Sequence, residues 1–305
     1  MNFLQQYVHE YLGWNIKDLK ISSQELQHGY RTRTRTGYKD KQQIQAYVFT
    51  RFPATYQVCL QLIGEHIKEL EINSVLDWGC GIGTASLALS KYFENIEYFL
   101  IEQDKQAKDY AAQFIKHFYP KNVIQQDILP EKVDLGVFSY SLGESDNWKK
   151  HLDDVWSRTN HLLIVEPGTT AHFQKLLKIR DYLLLKKDAY LVGPCYHSQS
   201  CPLKEKDWCH FSVNVPRSKE HKILKNAQRG FEFEAYSYLF FSKTSKMHDE
   251  FGRLIASPRI HGGHINLKIC TRKGEIIEPT ISKSHQDYKQ LKKSVWGDGI
   301  KNELH

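Results

Sequence analysis

Residues 75–89, VLDWGCGIGTASLAL, decide the fold. An apolar run that ends near Asp77 is followed by a turn with glycine at positions 79, 81 and 83, and then by a helix-forming segment. Glycine is needed where the backbone takes a positive φ or where a ligand approaches it closely. Thr84 occupies the sixth position of the turn, so it is not the dinucleotide G-x-G-x-x-G motif, and no Gly-Lys-Ser/Thr follows as in a phosphate loop. The pattern predicts a strand, a tight turn and a helix.

The chain on either side of this turn alternates between short apolar runs and helical stretches. The apolar runs are SVLDW, EYFLIE, VIQQD, LGVFSYS and HLLIVEPG, with helical segments predicted at residues 84–93 and 105–117. This alternation predicts βα units and a parallel sheet. Two later runs, FEFEAYSYLFFSK and HINLKICT, have no helix between them, so we expect an antiparallel pair that closes the sheet edge.

Acidic residues follow three successive predicted strands. Asp77 ends the first strand, Glu102 ends the second, and Asp127 ends the third. An acid at the position of Glu102 can accept hydrogen bonds from both hydroxyls of a ribose, and Asp127 could accept from an adenine amino group. Three carboxylates without a basic phosphate clamp favour an adenosine ligand that has no phosphates, and S-adenosylmethionine fits. The alternative is a structural turn with incidental acids.

Gly79, Gly81 and Gly83, with the acid before them, resemble the first motif of class I methyltransferases, D-x-G-x-G-x-G. The expected fold is therefore α/β, a Rossmann-like class I methyltransferase sheet with an N-terminal helical region and a cysteine-rich insertion before the last strands. Four parts are predicted. Residues 1–70 form a helical region, and residues 71–187 form a core that binds S-adenosylmethionine. Residues 188–230 form an insertion, and residues 231–305 form closing strands with a basic tail.

The acceptor side of such an enzyme lies just after the fourth strand, here residues 134–145. Methyl transfer from a sulfonium is an in-line displacement in which positioning the acceptor does most of the work. Enzymes that methylate amino groups of nucleic acids often carry Asn/Asp-Pro-Pro-aromatic there, whereas this chain has SYSLGE. Ser139 is a candidate cofactor-binding residue, Tyr140 a candidate to stack on a base, and Glu144 a candidate to hold a proton. Tyr140 and Glu144 equally suit a packing role.

Four of the six cysteines form a candidate metal site. Three lie in residues 192–212, VGPCYHSQSCPLKEKDWCHFS, and the fourth lies on the polar face of the predicted strand HINLKICT. Four thiolates can hold zinc or a [4Fe–4S] cluster, but no C-x-x-C pair is present, and the spacing suits metal and unligated thiols equally. His197 and His210 are possible substitute ligands. The four candidate ligands are Cys195, Cys201, Cys209 and Cys270.

Composition and charge restrict the class of protein. Hydrophobic residues make up 41% of the 305, enough for a core. No apolar run approaches the roughly 20 residues of a membrane helix, and we see no organelle-targeting segment. We therefore expect a cytoplasmic protein with reduced thiols and no membrane partner. Residues 170–305 hold 24 Lys+Arg against 14 Asp+Glu, which suits either a polyanion such as RNA or a lysine-rich solvated surface.

The sequence resembles the methyltransferase-like assembly factors of the mitochondrial small ribosomal subunit and their bacterial relatives, and we expect a bacterial-type member. The resemblance rests on AYVFTRFPATY (46–56), VLDWGCGIGTA (75–85), SYSLGE (139–144), LLIVEPGT (162–169), GPCYHSQSCPL (193–203), DWCHFS (207–212), INLKICTRKG (265–274) and WGD (296–298). It implies a [4Fe–4S] cluster on the four cysteines, with zinc as the lesser possibility, and binding to immature small-subunit rRNA.

These observations lead to two hypotheses. The first is an S-adenosylmethionine-dependent methyltransferase with an iron–sulfur cluster, acting on small-subunit rRNA or in its assembly. The second is an assembly factor that binds S-adenosylmethionine without catalysis, which the absence of an Asn/Asp-Pro-Pro motif keeps open. Either protein is expected to be a monomer away from the ribosome. The basic insertion and the cysteine blocks do not support a small-molecule methyltransferase.

Overall fold

The computed structural model describes residues 3–32, 37–203, 207–244 and 249–303. The chain divides into two compact units built from interleaved segments. The first unit comprises Met1–Leu142, Lys150–Thr159 and Val213–Glu234, and the second comprises Gly143–Lys149, Asn160–Ser212 and Ala235–His305. Each unit carries one of the two candidate sites.

Ten α-helices lie within the described residues. They are α1 Phe3–Tyr7, α2 Ile16–Thr32, α3 Lys41–Thr50, α4 Phe52–Leu62, α5 Thr84–Leu89, α6 Lys105–Phe118, α7 Trp148–Arg158, α8 Thr170–Leu184, α9 Lys219–Leu224 and α10 Tyr288–Leu291. Single π-helical turns follow α1 and α4, at Val8–Leu12 and Ile63–Ile67. The helical character predicted for the N-terminal segment is confirmed.

Fifteen strands lie in the same described part of the chain. They are β1 Ser74–Trp78, β2 Glu97–Ile101, β3 Val123–Gln126, β4 Val133–Ser139, β5 Thr159–Pro167, β6 Tyr190–Gly193, β7 Phe211–Pro216, β8 Phe231–Ser242, β9 Gly252–Leu254, β10 Arg259–Ile260, β11 His264–Asn266, β12 Ile269–Thr271, β13 Ile276–Ile277, β14 Thr280–Ser282 and β15 Gly299–Ile300.

The sheet of the first unit has the order β3-β2-β1-β4, and its pairs β1–β2, β1–β4 and β2–β3 are parallel. This is the first half of the Rossmann order 3-2-1-4-5-6. Every apolar run predicted as a strand before residue 140 forms one. The α/β class with a mainly parallel sheet is therefore confirmed. Because the carboxyl ends of parallel strands share one edge, the turns after β1, β2 and β3 come together.

Side chains mark where the helices between these strands begin and end. Asp104 caps α6 by accepting a hydrogen bond from the Ala107 N–H at 3.1 Å. Helix α5 ends at Leu89, four residues before the predicted end. The next residue, Ser90, donates its hydroxyl to the Ser86 carbonyl at 2.9 Å, and its hydroxyl oxygen accepts from the Asn122 amide at 2.9 Å. These bonds hold Ser90 in a buried polar network, and the helix stops there.

The second unit departs from the predicted closing pair. Strand β8 is antiparallel, as expected, but it lies between β5 and β6 and not at an edge of this part of the sheet. The HINLKICT run is interrupted after Asn266, and its two halves, β11 and β12, join two small separate sheets, β10-β11-β14 and β13-β12-β9-β15. The prediction of an antiparallel pair formed by the two runs is wrong.

A separate apolar core explains this departure. The face of the run that carries Ile265, Leu267 and Ile269 packs into a buried cluster with Leu254, Ile281, Tyr288, Leu291 and Ile300. An apolar face that is buried in its own cluster does not need a place in the larger sheet. Cys270 lies on the opposite side of β12 and is half-buried. The predicted separation of the apolar face from Cys270 is confirmed.

Residues 188–230, predicted as an insertion without regular structure, include two strands and a helix. Strands β6 and β7 and helix α9 lie within these limits, and between β6 and β7 the described residues 194–203 and 207–210 form neither helix nor strand. The three cysteines of the insertion lie in this irregular part. In the described residues, no helix combines the length and apolar character needed to cross a membrane.

Candidate nucleoside and thiol sites

The glycine turn after β1 is shaped by three residues with positive φ. Gly79, Gly81 and Gly83 have φ values of 72°, 53° and 80°. A Cβ on Gly79 would collide with the Ser141 side chain, and one on Gly83 would lie 3.0 Å from the Cβ of Ala111 in α6. A Cβ on Gly81 would meet no atom within 4 Å. The outer two glycines therefore allow close packing, whereas Gly81 faces open space.

Asp77 is a buried acid beneath this turn. Its side chain is 1% exposed, and its Oδ2 accepts from the Ser86 hydroxyl at 2.7 Å. Its Oδ1 is buried and has no hydrogen-bond partner among the described residues. Burial raises the pKa of Asp77 to about 6. A buried carboxylate oxygen without a donor suits a cationic or hydrogen-bonding ligand.

Glu102 connects the glycine turn to the loop after β2. Its Oε2 accepts from the Gly81 N–H at 2.9 Å, and its Oε1 accepts from the Asp104 N–H at 3.0 Å. Each carboxylate oxygen has two lone pairs, so acceptor capacity for ribose hydroxyls remains. The three predicted components Gly81, Glu102 and Asp77 therefore belong to one turn region, since Glu102 bonds the loop that Asp77 precedes.

Asp127 has a partner that the sequence analysis missed. Its carboxylate accepts from the Lys108 ammonium, which also donates to the Glu102 carbonyl at 3.1 Å. The Lys108 side chain is 7% exposed, whereas that of Asp127 is 63% exposed. Lys108 is buried in α6 together with Ala107 and Ala111, and no motif in the sequence marks it.

Two predicted residues lie where β4 ends: Ser139 is its last residue, and Tyr140 follows it. The Ser139 hydroxyl lies 3.6 Å from the Cys59 sulfur. Tyr140 has a positive φ of 58° and a buried hydroxyl without a hydrogen-bond partner among the described residues. Burial raises the pKa of Tyr140 well above its ordinary value. Strained residues of this kind concentrate at functional sites.

Glu144, the other catalytic candidate, belongs to the second unit. It is an exposed residue at the end of a short 3₁₀ helix, Leu142–Glu144. A buried acid in the same unit was not assigned a role from the sequence. Glu166, at the end of β5, is 1% exposed, and its Oε1 accepts from the Gly143 N–H at 2.7 Å. This bond fixes the segment that carries Glu144.

The four predicted thiols of the second unit line one cavity. Its wall contains all four of these cysteines together with Arg180 and His197, and the remaining lining is mainly apolar. All six cysteines of the chain are free. The Cys270 sulfur lies 3.4 Å from the His197 Nε2. The predicted convergence of distant cysteines is therefore present in the fold.

Side chains from regular elements fix the loops that carry these thiols. Arg180 of α8 is 1% exposed and donates to the carbonyls of His197 at 3.1 Å and Gln199 at 2.6 Å, between the first two cysteines. The Trp208 indole donates to the Gly168 carbonyl at 3.0 Å, and the Ser237 hydroxyl donates to the Cys209 carbonyl at 2.8 Å.

Burial disfavours the thiolate form of these cysteines in this arrangement. Burial raises the pKa of Cys195, Cys201 and Cys209, and it raises the pKa of Cys270 to about 12. The other thiols of the set add to the effect at Cys209 and Cys270. Within the described ranges, no group of three or more His, Cys, Asp or Glu side chains is arranged to hold a metal ion.

The donor chemistry nevertheless fits a metal centre. Thiolate ligands form only when a cation offsets their charge, and two buried arginines, Arg180 and Arg253, lie against the set. Arg253 is 5% exposed, and its guanidinium lies 4.6 Å from the centre of the Tyr196 ring. A tetrathiolate centre of net negative charge, zinc or [4Fe–4S], would find compensating charge here.

The parallel β3-β2-β1-β4 order and the glycine turn with its acids define an α/β protein with a Rossmann-like sheet. The chain matches the family model described as mitochondrial small ribosomal subunit Rsm22 over residues 41–301, and it belongs to that family. Among curated proteins, none matches the chain.

Solved structures of methyltransferases are similar at low identity. A proposed RNA methyltransferase from Pyrococcus horikoshii has 14% identity and a TM-score of 0.42, covering 62% of this chain and 84% of that one. An O-methyltransferase from Bacillus cereus, in complex with SAH, has 9% identity and a TM-score of 0.38, covering 78% and 96%. A precorrin-6y C5,15-methyltransferase from Geobacter metallireducens has 17% identity and a TM-score of 0.38, covering 62% and 87%.

Proposed function

We propose that the protein is an S-adenosylmethionine-dependent methyltransferase that acts on small-subunit rRNA or during assembly of the small ribosomal subunit. The observation that carries the methyl-donor part is the turn at Gly81, where open space, a positive φ and the carboxylates of Asp77 and Glu102 occur together. The ribosomal part rests on the family to which the chain belongs. The basic second half of the chain agrees with an RNA partner.

The residues that would hold the donor have separable tasks. Bound S-adenosylmethionine supplies a methyl group on a positively charged sulfur. Glu102 offers acceptor oxygens to ribose hydroxyls, and Gly81 leaves its side of the turn clear. Asp77 provides buried negative charge. Burial raises the pKa of Asp77 to about 6, because it disfavours the ionised carboxylate. The positive charge of the donor would offset this cost and favour the ionised form.

A binding experiment tests this site with a matched control. Gly81→Arg fills the open space and is expected to weaken S-adenosylmethionine binding by about 100-fold or more, equivalent to ~2.7 kcal/mol in titration calorimetry. Gly13→Arg is the control, because Gly13 also has a positive φ of 58° and no atom within 4 Å of an added Cβ. Equal losses in both variants would attribute the effect to backbone strain and would remove the support for this site.

Methyl transfer is tested separately on immature small subunits. Tritium from labelled S-adenosylmethionine is expected to enter the rRNA with the wild-type protein and with Gly13→Arg, but not with Gly81→Arg. Transfer into ribosomal protein alone would contradict an rRNA substrate.

A second candidate function is an assembly factor that binds S-adenosylmethionine without catalysis. The acceptor segment favours it, since Tyr140 has a buried hydroxyl and Glu144 is an exposed acid, with no Asn/Asp-Pro-Pro sequence between the strand and the helix. Tight binding to immature subunits without any tritium incorporation would support this candidate over the first.

We also propose that Cys195, Cys201, Cys209 and Cys270 hold a [4Fe–4S] cluster, with zinc as the lesser possibility. A bound centre of either kind would cross-link the loops that carry Cys195, Cys201 and Cys209 to β12. Anaerobic purification is expected to give a brown protein with about four irons per chain, and Cys270→Ser is expected to lose them. Cys59→Ser, a buried thiol of the first unit, should retain the iron. A colourless protein with zinc and no iron would contradict the cluster.

The cytoplasmic location, the bacterial-type assignment and the monomeric state remain proposals. Cell fractionation tests the first, and sedimentation of the purified protein tests the last.

A further inference from the structure

At the start of strand β8, the apolar side chains are exposed and the charged side chains are largely buried. In its first four residues, the rings of Phe231 and Phe233 are exposed, at 40% and 64%, whereas the side chains of Glu232 and Glu234 are only 14% exposed. Strands normally turn their apolar residues toward the core and their charged residues toward water. Exposing a large apolar side chain costs about 1.5–3 kcal/mol relative to burial, so this arrangement calls for a physical reason.

The two glutamates are held inward by cations. Glu232 accepts from Arg217 at 2.6 Å and from Lys225 at 3.3 Å, and its Oε1 lies 3.4 Å from the His221 Nε2. Burial raises the pKa of Glu232, but His221, Arg217 and Lys225 together outweigh burial and lower it well below the usual range. Glu234 receives both arms of the Arg51 guanidinium, at 2.9 and 3.1 Å. Because side chains alternate along a strand, these ion pairs direct both phenylalanines outward.

The outward face contains no carboxylate at these positions. Strand β7 runs beside β8, and the Arg217 N–H donates to the Gly230 carbonyl at 2.8 Å where the two strands begin to pair. The exposed residues of β7 in this unit, Asn214 and Pro216, are neutral. The two rings lie 5.5 Å apart with their planes at 79°. We call Phe231, Phe233, Asn214 and Pro216 the aromatic face.

Two exposed cations lie close in sequence to the strands of the aromatic face. Arg229 is two residues before β8, and Lys219 begins α9, three residues after β7. In the described part of the chain, neither forms an ion pair. The face therefore combines exposed π systems with uncompensated positive charge.

We propose that the aromatic face binds unpaired nucleotides of RNA, with a base stacked on Phe233 or Phe231 and phosphates near Arg229 and Lys219. The inference rests on the proposed function, because the RNA partner comes from there, and it adds the surface and the mode of recognition. Aromatic rings on a sheet surface stack on splayed bases, whereas a duplex keeps its bases paired. Charge complementarity favours RNA over an apolar protein partner.

Fluorescence anisotropy with the full chain tests the surface, using a short labelled RNA without self-complementarity and its duplex as the comparison. Base–aromatic stacking corresponds to ~5- to 150-fold in affinity per base. We expect Phe233→Ala to weaken binding to the single strand about fivefold or more, and the double variant F231A/F233A to weaken it by about 25-fold or more. Phe233→Trp should keep the wild-type affinity. The control is Leu185→Ala, since Leu185 is 83% exposed and lies outside the aromatic face.

Salt dependence separates stacking from phosphate contacts. Arg229→Ala should reduce the slope of log affinity against log salt by about 1, whereas F231A/F233A should leave this slope unchanged. Thermal melting and S-adenosylmethionine binding of each variant check that the fold is intact.

Each outcome supports or overturns a specific claim. Wild-type binding that F231A/F233A leaves unchanged would overturn the aromatic face while the proposed function stands. Tighter binding to the duplex would also overturn it. Loss of small-subunit binding in F231A/F233A with naked RNA binding retained would assign the face to a protein partner. Absence of RNA binding by the wild type would overturn both the face and the RNA part of the proposed function.

Discussion

The two candidate sites are held together by opposite means. At the glycine turn, the key residues lie within 51 positions of one another, from Asp77 to Asp127, and the carboxylates of Glu102 and Asp127 already have protein donors. At the thiol site, the four cysteines span Cys195 to Cys270, and burial raises the pKa of each thiol. Arg180, Trp208 and Ser237 each donate to a backbone carbonyl of this region, and Arg180 also interacts with the Cys195 thiol. The first site is organised mainly by residues of its own motif, whereas the loops of the second depend on side chains outside the cysteine blocks.

The largest effect is expected at Arg180, the buried residue that fixes the first thiol loop. Arg180→Leu leaves the carbonyls of His197 and Gln199 without this donor, and an unpaired group at the buried His197 costs about 1–3 kcal/mol. With the half-buried bond to Gln199 also lost, we expect the free energy of unfolding of the metal-free protein to fall by about 2–4 kcal/mol in urea denaturation. Arg229→Ala, an exposed arginine, should change it by less than about 0.5 kcal/mol. A loss below ~1 kcal/mol in Arg180→Leu would show that the loop is organised locally, like the glycine turn.

Asp77 provides the corresponding test in the first unit. Its folded pKa of about 6 exceeds the ordinary value of 3.8, so its contribution to stability is fully present below pH 3.8 and is lost as the pH rises through 6. Asp77→Asn replaces the carboxyl with a group that does not ionise, so the stability is no longer lost as the pH rises. We expect it to stabilise the ligand-free protein at pH 7 by up to ~3 kcal/mol, to have little effect near pH 4, and to weaken S-adenosylmethionine binding.

Urea denaturation across this pH range checks the Asp77 prediction. Asp109→Asn is the control, because Asp109 is a half-exposed partner of Lys105 on the surface of α6. Identical stability of wild type and Asp77→Asn at pH 7 would mean that a partner offsets the buried charge. The site would then be structural and not adapted to a ligand.

The same contrast explains what the sequence could predict. Strand β1, the glycine turn and the acids at Glu102 and Asp127 follow from local patterns, because alternation and glycine spacing act within a few residues. Lys108 was missed because a lysine on a mixed helix face carries no motif, and its pairing depends on the position of β3. The failed closing pair has a similar cause. The Ile265 face is apolar in the sequence, but the sequence does not say which core it joins.

The four cysteines that the family resemblance selected line one cavity, and their role as metal ligands stays a prediction. Spacing alone left metal and unligated thiols equally open, and the residues that support the thiol loops were not predicted. Arg180 could not be predicted, because an arginine inside an amphipathic helix is normally solvated, and its burial follows only from the packing of α8 against the loop at residues 197–199. Glu166 was not predicted either, because an acid near the end of β5 has no local sequence signature and its burial also follows from tertiary packing.

The Lys108–Asp127 pair tests whether the nucleoside site rearranges when it binds a ligand. The side chain of Asp127 is 63% exposed, so solvent screens the pair and we expect a coupling energy of only about 1 kcal/mol in a double-mutant cycle of Lys108→Met and Asp127→Asn. If Asp127 accepts from the adenine amino group, saturating S-adenosylmethionine should reduce this coupling. A coupling that the ligand leaves unchanged would assign Asp127 to structure alone and would leave Glu102 as the nucleoside's main acid.

The smallest effect is expected at Trp208, where one hydrogen bond supports the third thiol loop. Trp208→Phe removes the indole N–H that donates to the Gly168 carbonyl but keeps an aromatic ring against His210, which now stacks on the indole at 5.0 Å. A single neutral hydrogen bond contributes about 0.5–1.5 kcal/mol, so we expect the metal-free protein to lose about 1 kcal/mol of unfolding free energy. Trp148→Phe, in a helix away from the cysteines in sequence, controls for the change of ring size.

Because the indole acts on the backbone and not on a sulfur, the amount of iron or zinc bound per chain should not change in Trp208→Phe. A reduced metal content would instead mean that the position of Cys209 depends on this one bond, and that the thiol site is even less self-organised than the glycine turn.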